Sequence, residues 1–319
     1  DERHKMTLLV VGSVAYDSVQ TPQGAREDAL GGSATYFSIA SSYFSPVSLV
    51  AIVGEDFQPE HIALLEKHDV DVSGLERVDG DTFRWSGVYS TEDINQRETL
   101  DTQLNVFADF KPNLSEQHRN ADFLFLANID PELQLEVLGQ MNQRPKLVAL
   151  DSMNFWIDGK KNELDKIVEA VDMVFMDEGE ARTYANEPNL RRAAARIHEV
   201  GPSTVVIKRG EHGVLISNEG NLFSAPAFPL DRVVDPTGAG DTFAGGFVGL
   251  ISATGDLSEA GIRRAAVLGS VMGSFTVEDF SADRLATLTH EQVVERFSEF
   301  ERLTQFTGLD KSNSLPWRA

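Results

Sequence analysis

The chain has 319 residues, 41% of them hydrophobic and 24% charged, with a formal net charge of −22. That surplus of carboxylates repels nucleic acid and anionic membrane alike, so neither is expected as a partner. With no cysteine there is neither a disulfide framework nor a thiol nucleophile.

The length exceeds that of a usual single core and predicts one large domain with an accessory lobe. The first six residues are charged and lead straight into a strand, unlike a secretory signal. No apolar run reaches membrane-spanning length, and a cytoplasmic location is expected. Residues 7–13 then read as a buried first strand, with Asp17 just past its C-terminal end. Helical spacing opened by Gly31-Gly32 covers 32–44, followed by a strand at 48–53 and a helix at 57–68. Further strands are predicted at 122–127, 146–150, 171–176 and 204–208. Helices at 131–141, 160–170, 178–185 and 189–200 fall between them, and others follow at 240–253, 258–275 and 290–303. Continuous apolar strands alternating with helices predict a parallel sheet covered on both faces.

Two segments, 16–30 and 81–110, break this rhythm and hold no convincing helix. The second reads as strands at 82–89, 97–101 and 103–108. A small separate sheet is expected from these segments, leaving 1–15, 31–80 and 111–319 as the main domain.

The most informative stretch is Asp235-Pro236-Thr237-Gly238-Ala239-Gly240-Asp241, which leads into a helix rich in small residues. A β-rich segment, 221–234, precedes it. Free amides at such a helix start suit a phosphate. Asp241 in the same first turn suits a phosphotransferase, which needs a base for the acceptor hydroxyl. The plainer reading is a strand-to-helix turn with a capping Asp. Asp17 has the same two readings, as a carboxylate for neighbouring hydroxyls or as a turn residue. Gly31 and Gly32 allow the backbone to approach a ligand closely. Asp177, Glu178 and Glu180 crowd one helix start, as a cap or as a cage for a metal's waters. No Gly-x-x-x-x-Gly-Lys-Ser/Thr is present, which excludes a P-loop.

The run from Asp235 to Phe247 resembles the signature of the ribokinase-like (PfkB) family of carbohydrate and nucleoside kinases, and the resemblance extends over nearly the whole chain. It implies an α/β ribokinase-like fold: a central, mostly parallel sheet, helices on both faces, and a small β-sheet lid from 16–30 and 81–110. It implies ATP-dependent transfer of the γ-phosphoryl group to a primary hydroxyl of a sugar. Asp241 would be the base, and Gly238, Ala239 and Gly240 would form the anion hole. Asp17 would grip the acceptor's hydroxyls beside Gly31 and Gly32, and Gly54-Glu55-Asp56 would belong to the lid's hinge. Glu180 would organise Mg²⁺ through water, with Asp177 standing where the family has Asn. Lys208, Gly210, Gly213 and Thr237 would line the nucleotide. Asp235, with a second loop near 275–279, would hold K⁺.

Tyr36 stands where relatives carry a sugar-binding Asn, so the acceptor pocket departs from the family pattern. Tyr36, Phe83, Trp85 and Asn105 are expected as substrate contacts, with the lid's own core as the alternative for its aromatics. Arg84 and Arg97 are candidates for a phosphate on the substrate. Asp151, followed by Asn154 and Trp156, is similar to a feature of related kinases at altered spacing. A sugar ranks narrowly ahead of a nucleoside as acceptor, and a silent binding protein comes third. An exposed face on the lid sheet suits a homodimer in which lids pair.

Overall fold

The computed structural model describes residues 6–306. The charged start at 1–5, used above against a secretory signal, lies outside them.

Strand β1 (Leu8–Val11) sends Leu8 and Val10 into one core and Leu9 and Val11 into another, so both faces of the sheet are covered. A hairpin follows, β2 (Ala15–Thr21) and β3 (Gly24–Gly31), then α1 (Ser33–Ser42), β4 (Val47–Gly54), α2 (Pro59–Lys67) and β5 (Val70–Val78). Next come β6 (Arg84–Tyr89) and β7 (Arg97–Gln103), which return the chain to the hairpin. The main rhythm resumes with β8 (Phe123–Leu126), α3 (Pro131–Gly139), β9 (Leu147–Asp151), α4 (Asn154–Gly159) and α5 (Lys161–Ala170). It continues through β10 (Met173–Asp177), α6 (Glu178–Ala185), α7 (Leu190–Val200), β11 (Thr204–Lys208), β12 (Val214–Asn218) and β13 (Asn221–Ala225). Helices α8 (Ala239–Thr254), α9 (Glu259–Thr276) and α10 (His290–Thr304) close the described chain.

The large sheet has nine strands in the order β13-β12-β11-β10-β9-β8-β1-β4-β5, parallel from β11 to β5, with β12 and β13 antiparallel. Helices α1, α8 and α9 cover one face, and α3, α5, α6 and α7 the other. The strand order reverses at β1, and ligands of open α/β sheets bind beyond strand C-termini at such a reversal. The second sheet, β3-β2-β6-β7, draws its strands from the two segments that interrupt the alternation.

This sheet is tied to the large one near the C-terminal end of β4. Asp56 Oδ1 accepts from Thr82 N at 2.7 Å and Thr82 Oγ1 at 2.6 Å, while its Oδ2 meets Arg84 at 2.7 Å. Arg84 also pairs with Asp28 and lies over the Tyr16 ring, so it is occupied in holding the small sheet. No helix among the described residues is long and apolar enough to cross a membrane.

Several local expectations are corrected. Residues 103–108 do not form a strand: Asn105 adopts φ 49°, and a 3₁₀ turn runs over Asn105–Asp109. The β-rich stretch 221–234 is a strand only to Ala225, and Gly213, where a Cβ would clash with Ala225–Ala227, lets that stretch pass closely. Strand β5 escapes sequence reading because its second half is polar and exposed.

Candidate active site

At the C-terminal edge of the large sheet, strand ends deliver charge to one place. Asp151 ends β9, Asp177 ends β10 and Lys208 ends β11, with Asp177 and Lys208 in register. Lys208 Nζ bonds Asp151 Oδ2 at 2.7 Å, and both side chains are largely buried. Burial pulls the Lys208 ammonium down, but Asp151, Glu180 and Asp241 outweigh it and hold the proton firmly. Burial pushes Asp151 up, and Lys208 pulls it back.

Above Lys208 sits the start of α8. Gly238 caps it in a left-handed conformation, φ 74° and ψ 0°, which favours glycine. Neither the Gly238 nor the Gly240 amide donates to a backbone oxygen among the described residues, leaving donors at the positive end of the helix dipole. A Cβ on Gly240 would lie 3.1 Å from Lys208 Nζ, so the ammonium stands directly beneath this turn. Burial and the Asp151 charge push Asp241 up to about 7, against the pull of Lys208 and Arg97.

Facing the turn is the hairpin. Asp17 is 6% exposed, and a Cβ on Gly31 would collide with its carboxylate, which accounts for glycine there. Burial raises Asp17 to about 7; the Gly32 amide lowers it, while Asp235 and Asp241 raise it further. Trp85 is in register with Asp17 and lies over Gly87, with its Nε1 3.2 Å from Thr99 Oγ1. Arg97, on β7, is the basic residue whose charge bears on Asp17, Tyr89 and Asp241 together. The small sheet also touches the segment leading into α8 directly, through Tyr89 Oη and Thr237 Oγ1 at 3.1 Å.

Glu180 and Asp177 form a reciprocal cap on α6: Asp177 N donates to Glu180 Oε2 at 2.6 Å, and Glu180 N to Asp177 Oδ1 at 2.7 Å. Burial and the neighbouring Asp177 carboxylate push Glu180 up to about 8. Asp235, 1% exposed, accepts from Thr237 N at 2.9 Å and Ser281 N at 3.2 Å. The amides of Val234 and Asp235 reach the Val277 carbonyl, so residues 277–281 supply the second loop beside Asp235.

Not every expected substrate contact joins this group. Phe83 stacks on Phe107, ring centroids 5.2 Å apart, and Phe107 on Phe110 at 5.6 Å. Asn105 Nδ2 donates to Thr82 O at 2.9 Å. Both residues are engaged in the base of the small sheet. Gly210 is met by Asn95 from the β6–β7 loop, and a cavity of about 570 Å³ opens there between Asp93, Asn95, Glu211 and His212. Asp17, Lys208 and Asp241 are not among its lining residues.

Sequence reading missed Tyr89 and Asn95 and left Asp151 without a role. Tyr89 has only its alternation along β6 as a signal. Asp151 becomes legible once β9 and β11 are known to flank β10, because that places it across from Lys208.

A backbone anion turn, a buried carboxylate beside it and a second carboxylate opposite define the layout of a phosphotransferase. The chain belongs to the pfkB family of carbohydrate kinases, whose family model matches residues 6–286. A cytidine kinase of Thermococcus kodakarensis is 29% identical over 284 residues, covering 85% of this chain and 99% of that protein. Among solved structures, a nucleoside kinase of Methanocaldococcus jannaschii matches with TM-score 0.73 and 20% identity, covering 92% of this chain and 99% of its own. A nucleoside kinase of Burkholderia thailandensis in complex with inosine matches with TM-score 0.76 and 18% identity, covering 93% and 98%.

Proposed function

We propose that the protein is an ATP-dependent nucleoside kinase, transferring the γ-phosphoryl group to a primary hydroxyl of its acceptor. The observation that carries the transfer chemistry is Asp241 buried beside the free amides of Gly238 and Gly240, with Lys208 beneath. The near full-length similarity to a cytidine kinase favours a nucleoside over the free sugar that ranked first on sequence. Trp85, on the same face of the small sheet as Asp17, suits a base or sugar face as a cover.

In this reading Asp241 takes the acceptor hydroxyl's proton, an effect worth roughly 10²–10⁴-fold in rate. The free amides of Gly238 and Gly240 hold the charge on the transferred group, with about 3 kcal/mol from each well-placed donor, while the expected Ala239 amide is instead engaged with Pro236 O at 3.2 Å. Asp17, Gly31, Gly32 and Tyr36 bind the acceptor, and Lys208, Gly210, Gly213 and Thr237 flank the nucleotide. Phe83 and Asn105 shape the pocket from behind. The small sheet acts as a lid that excludes water.

The donor set fits Mg²⁺, which prefers oxygen ligands and retains waters. Among the described residues no three acidic or His side chains converge to hold a metal outright. Glu180 and Asp177 would therefore hold the ion through its waters. When bound, Mg²⁺ would neutralise phosphate charge. Asp235 and residues 277–281 suit K⁺ in the same way.

The test is ADP release from ATP and Mg²⁺, with and without K⁺, against nucleosides, sugars and sugar phosphates. Turnover with nucleosides, lost in Asp241→Asn, supports the proposal. Turnover with free sugars alone would replace the acceptor class, and ATP binding without any turnover would point to a silent sensor.

A further inference from the structure

Tyr36 carries a buried hydroxyl with no partner in the protein. The residue is 1% exposed, and its Oη makes no hydrogen bond among the described residues. An unpaired buried polar atom costs roughly 1–3 kcal/mol. Phenylalanine would fill the same space without that cost, so the hydroxyl calls for a partner that arrives from outside.

The ring's position says where that partner binds. Its face lies against the turn that starts α8: a Cβ on Gly238 would stand 2.5 Å from three ring carbons. Tyr36 thus braces the backbone expected to hold a phosphoryl group. Burial keeps its phenol protonated, with Asp17, Asp235, Tyr89 and Asp241 adding to the effect, so the oxygen is a donor in carboxylate-rich surroundings. An anionic oxygen would be repelled there, whereas a neutral hydroxyl would not. Tyr89 already has Thr237 as a partner.

We propose that Tyr36 reads one hydroxyl of the acceptor, its O–H donating to that oxygen while its ring supports the Gly238 turn. The inference rests on the kinase reading above and makes Tyr36 a specificity-determining residue.

Tyr36→Phe removes only the oxygen. The ligand-free variant should unfold at the same temperature as the wild type or higher. A clear drop would mean that the hydroxyl has a partner within the protein, and would overturn the inference. Steady-state kinetics then use cytidine and ribose, each beside its deoxy analogues. With the acceptor that the wild type prefers, the variant should raise KM about tenfold or more, leaving the KM for ATP unchanged and kcat nearly so. The wild type should reject one deoxy analogue by a similar factor, and the variant should treat that analogue and its parent alike. Full discrimination retained by the variant overturns the inference, whichever acceptor is used. Turnover of ribose but not cytidine removes the nucleoside reading, and the ribose pair then decides the role of Tyr36. Where neither is turned over, the preferred acceptor from the wider set of nucleosides, sugars and sugar phosphates takes their place beside its deoxy analogues, and turnover of none of that set removes the kinase reading and this inference with it.

Discussion

Lys208 Nζ and Asp151 Oδ2 stand 2.7 Å apart at the ends of two strands separated by β10, directly beneath the turn that starts α8. The pair sets the charge balance of the site. Lys208 is the cation that Asp151, Glu180 and Asp241 share, so its loss would leave buried carboxylates facing one another. Lys208→Met should therefore lower stability by about 3 kcal/mol, the scale for breaking a buried pair. Asp151→Asn keeps an acceptor for the ammonium and should cost less. The double variant should recover part of the loss, because Asp151 is then no longer stranded, although Glu180 and Asp241 still lack their shared cation. Urea denaturation of all four proteins checks this, and strict additivity would show that the two residues act apart.

Asp241 is pushed up to about 7 by burial and by Asp151. A base must be ionised to act, so kcat/KM for the acceptor should climb as pH rises through about 7 and then level off. Asp241→Asn should lose roughly 10²–10⁴-fold in kcat and abolish that limb of the profile. ATP binding should survive, since in the proposed reading it rests on amides and Lys208 rather than on Asp241. A flat pH profile in the wild type would take the proton transfer away from Asp241.

The architecture was legible because alternating apolar strands and amphipathic helices repeat a simple pattern, and the glycine turn opening α8 because its glycines, Asp241 and helix are contiguous in sequence. What escaped reading depends on contacts between distant segments. Strand β5 has too polar a second half to show periodicity. Tyr89 gains meaning only where β6 crosses above Thr237. The expectation for Arg84 as a phosphate contact could not foresee Asp28 and Asp56, which reach it from other segments of the chain. Phe83 went the same way, into a stack with Phe107 that no local pattern announces.

Glu180 has a structural duty in the α6 cap and a proposed duty toward Mg²⁺, and one substitution separates them. Glutamine at the same position can still accept from the Asp177 amide, so Glu180→Gln should preserve the cap and the fold. It cannot supply negative charge to a hydrated cation. The Mg²⁺ concentration for half-maximal rate should rise about tenfold, the lower scale for losing an outer-shell partner, while the melting temperature holds. An unchanged Mg²⁺ requirement would confine Glu180 to capping. Chelation of Mg²⁺ should abolish turnover in both proteins.

The ligand-free protein should be less stable in mild alkali than in mild acid. Asp17 and Asp241 are pushed up to about 7 and Glu180 to about 8, chiefly by burial, so the folded state holds their protons more tightly than the unfolded chain does. The stability this contributes is fully present below the ordinary carboxylate range and is lost as pH rises through about 7 to 8. A tenfold difference in proton affinity between the folded and unfolded chain is worth about 1.4 kcal/mol, so the three groups together move the melting temperature measurably across that range. Asp241→Asn should flatten part of this dependence by removing one titrating carboxylate, and should raise stability on the alkaline side. Scanning calorimetry of both proteins from about pH 5.5 to about pH 8.5 is the check. A wild-type protein that gains stability toward alkaline pH would mean that the burial of His61, His68 and His118, which disfavours their protonated forms and so acts in the opposite direction, outweighs these carboxylates.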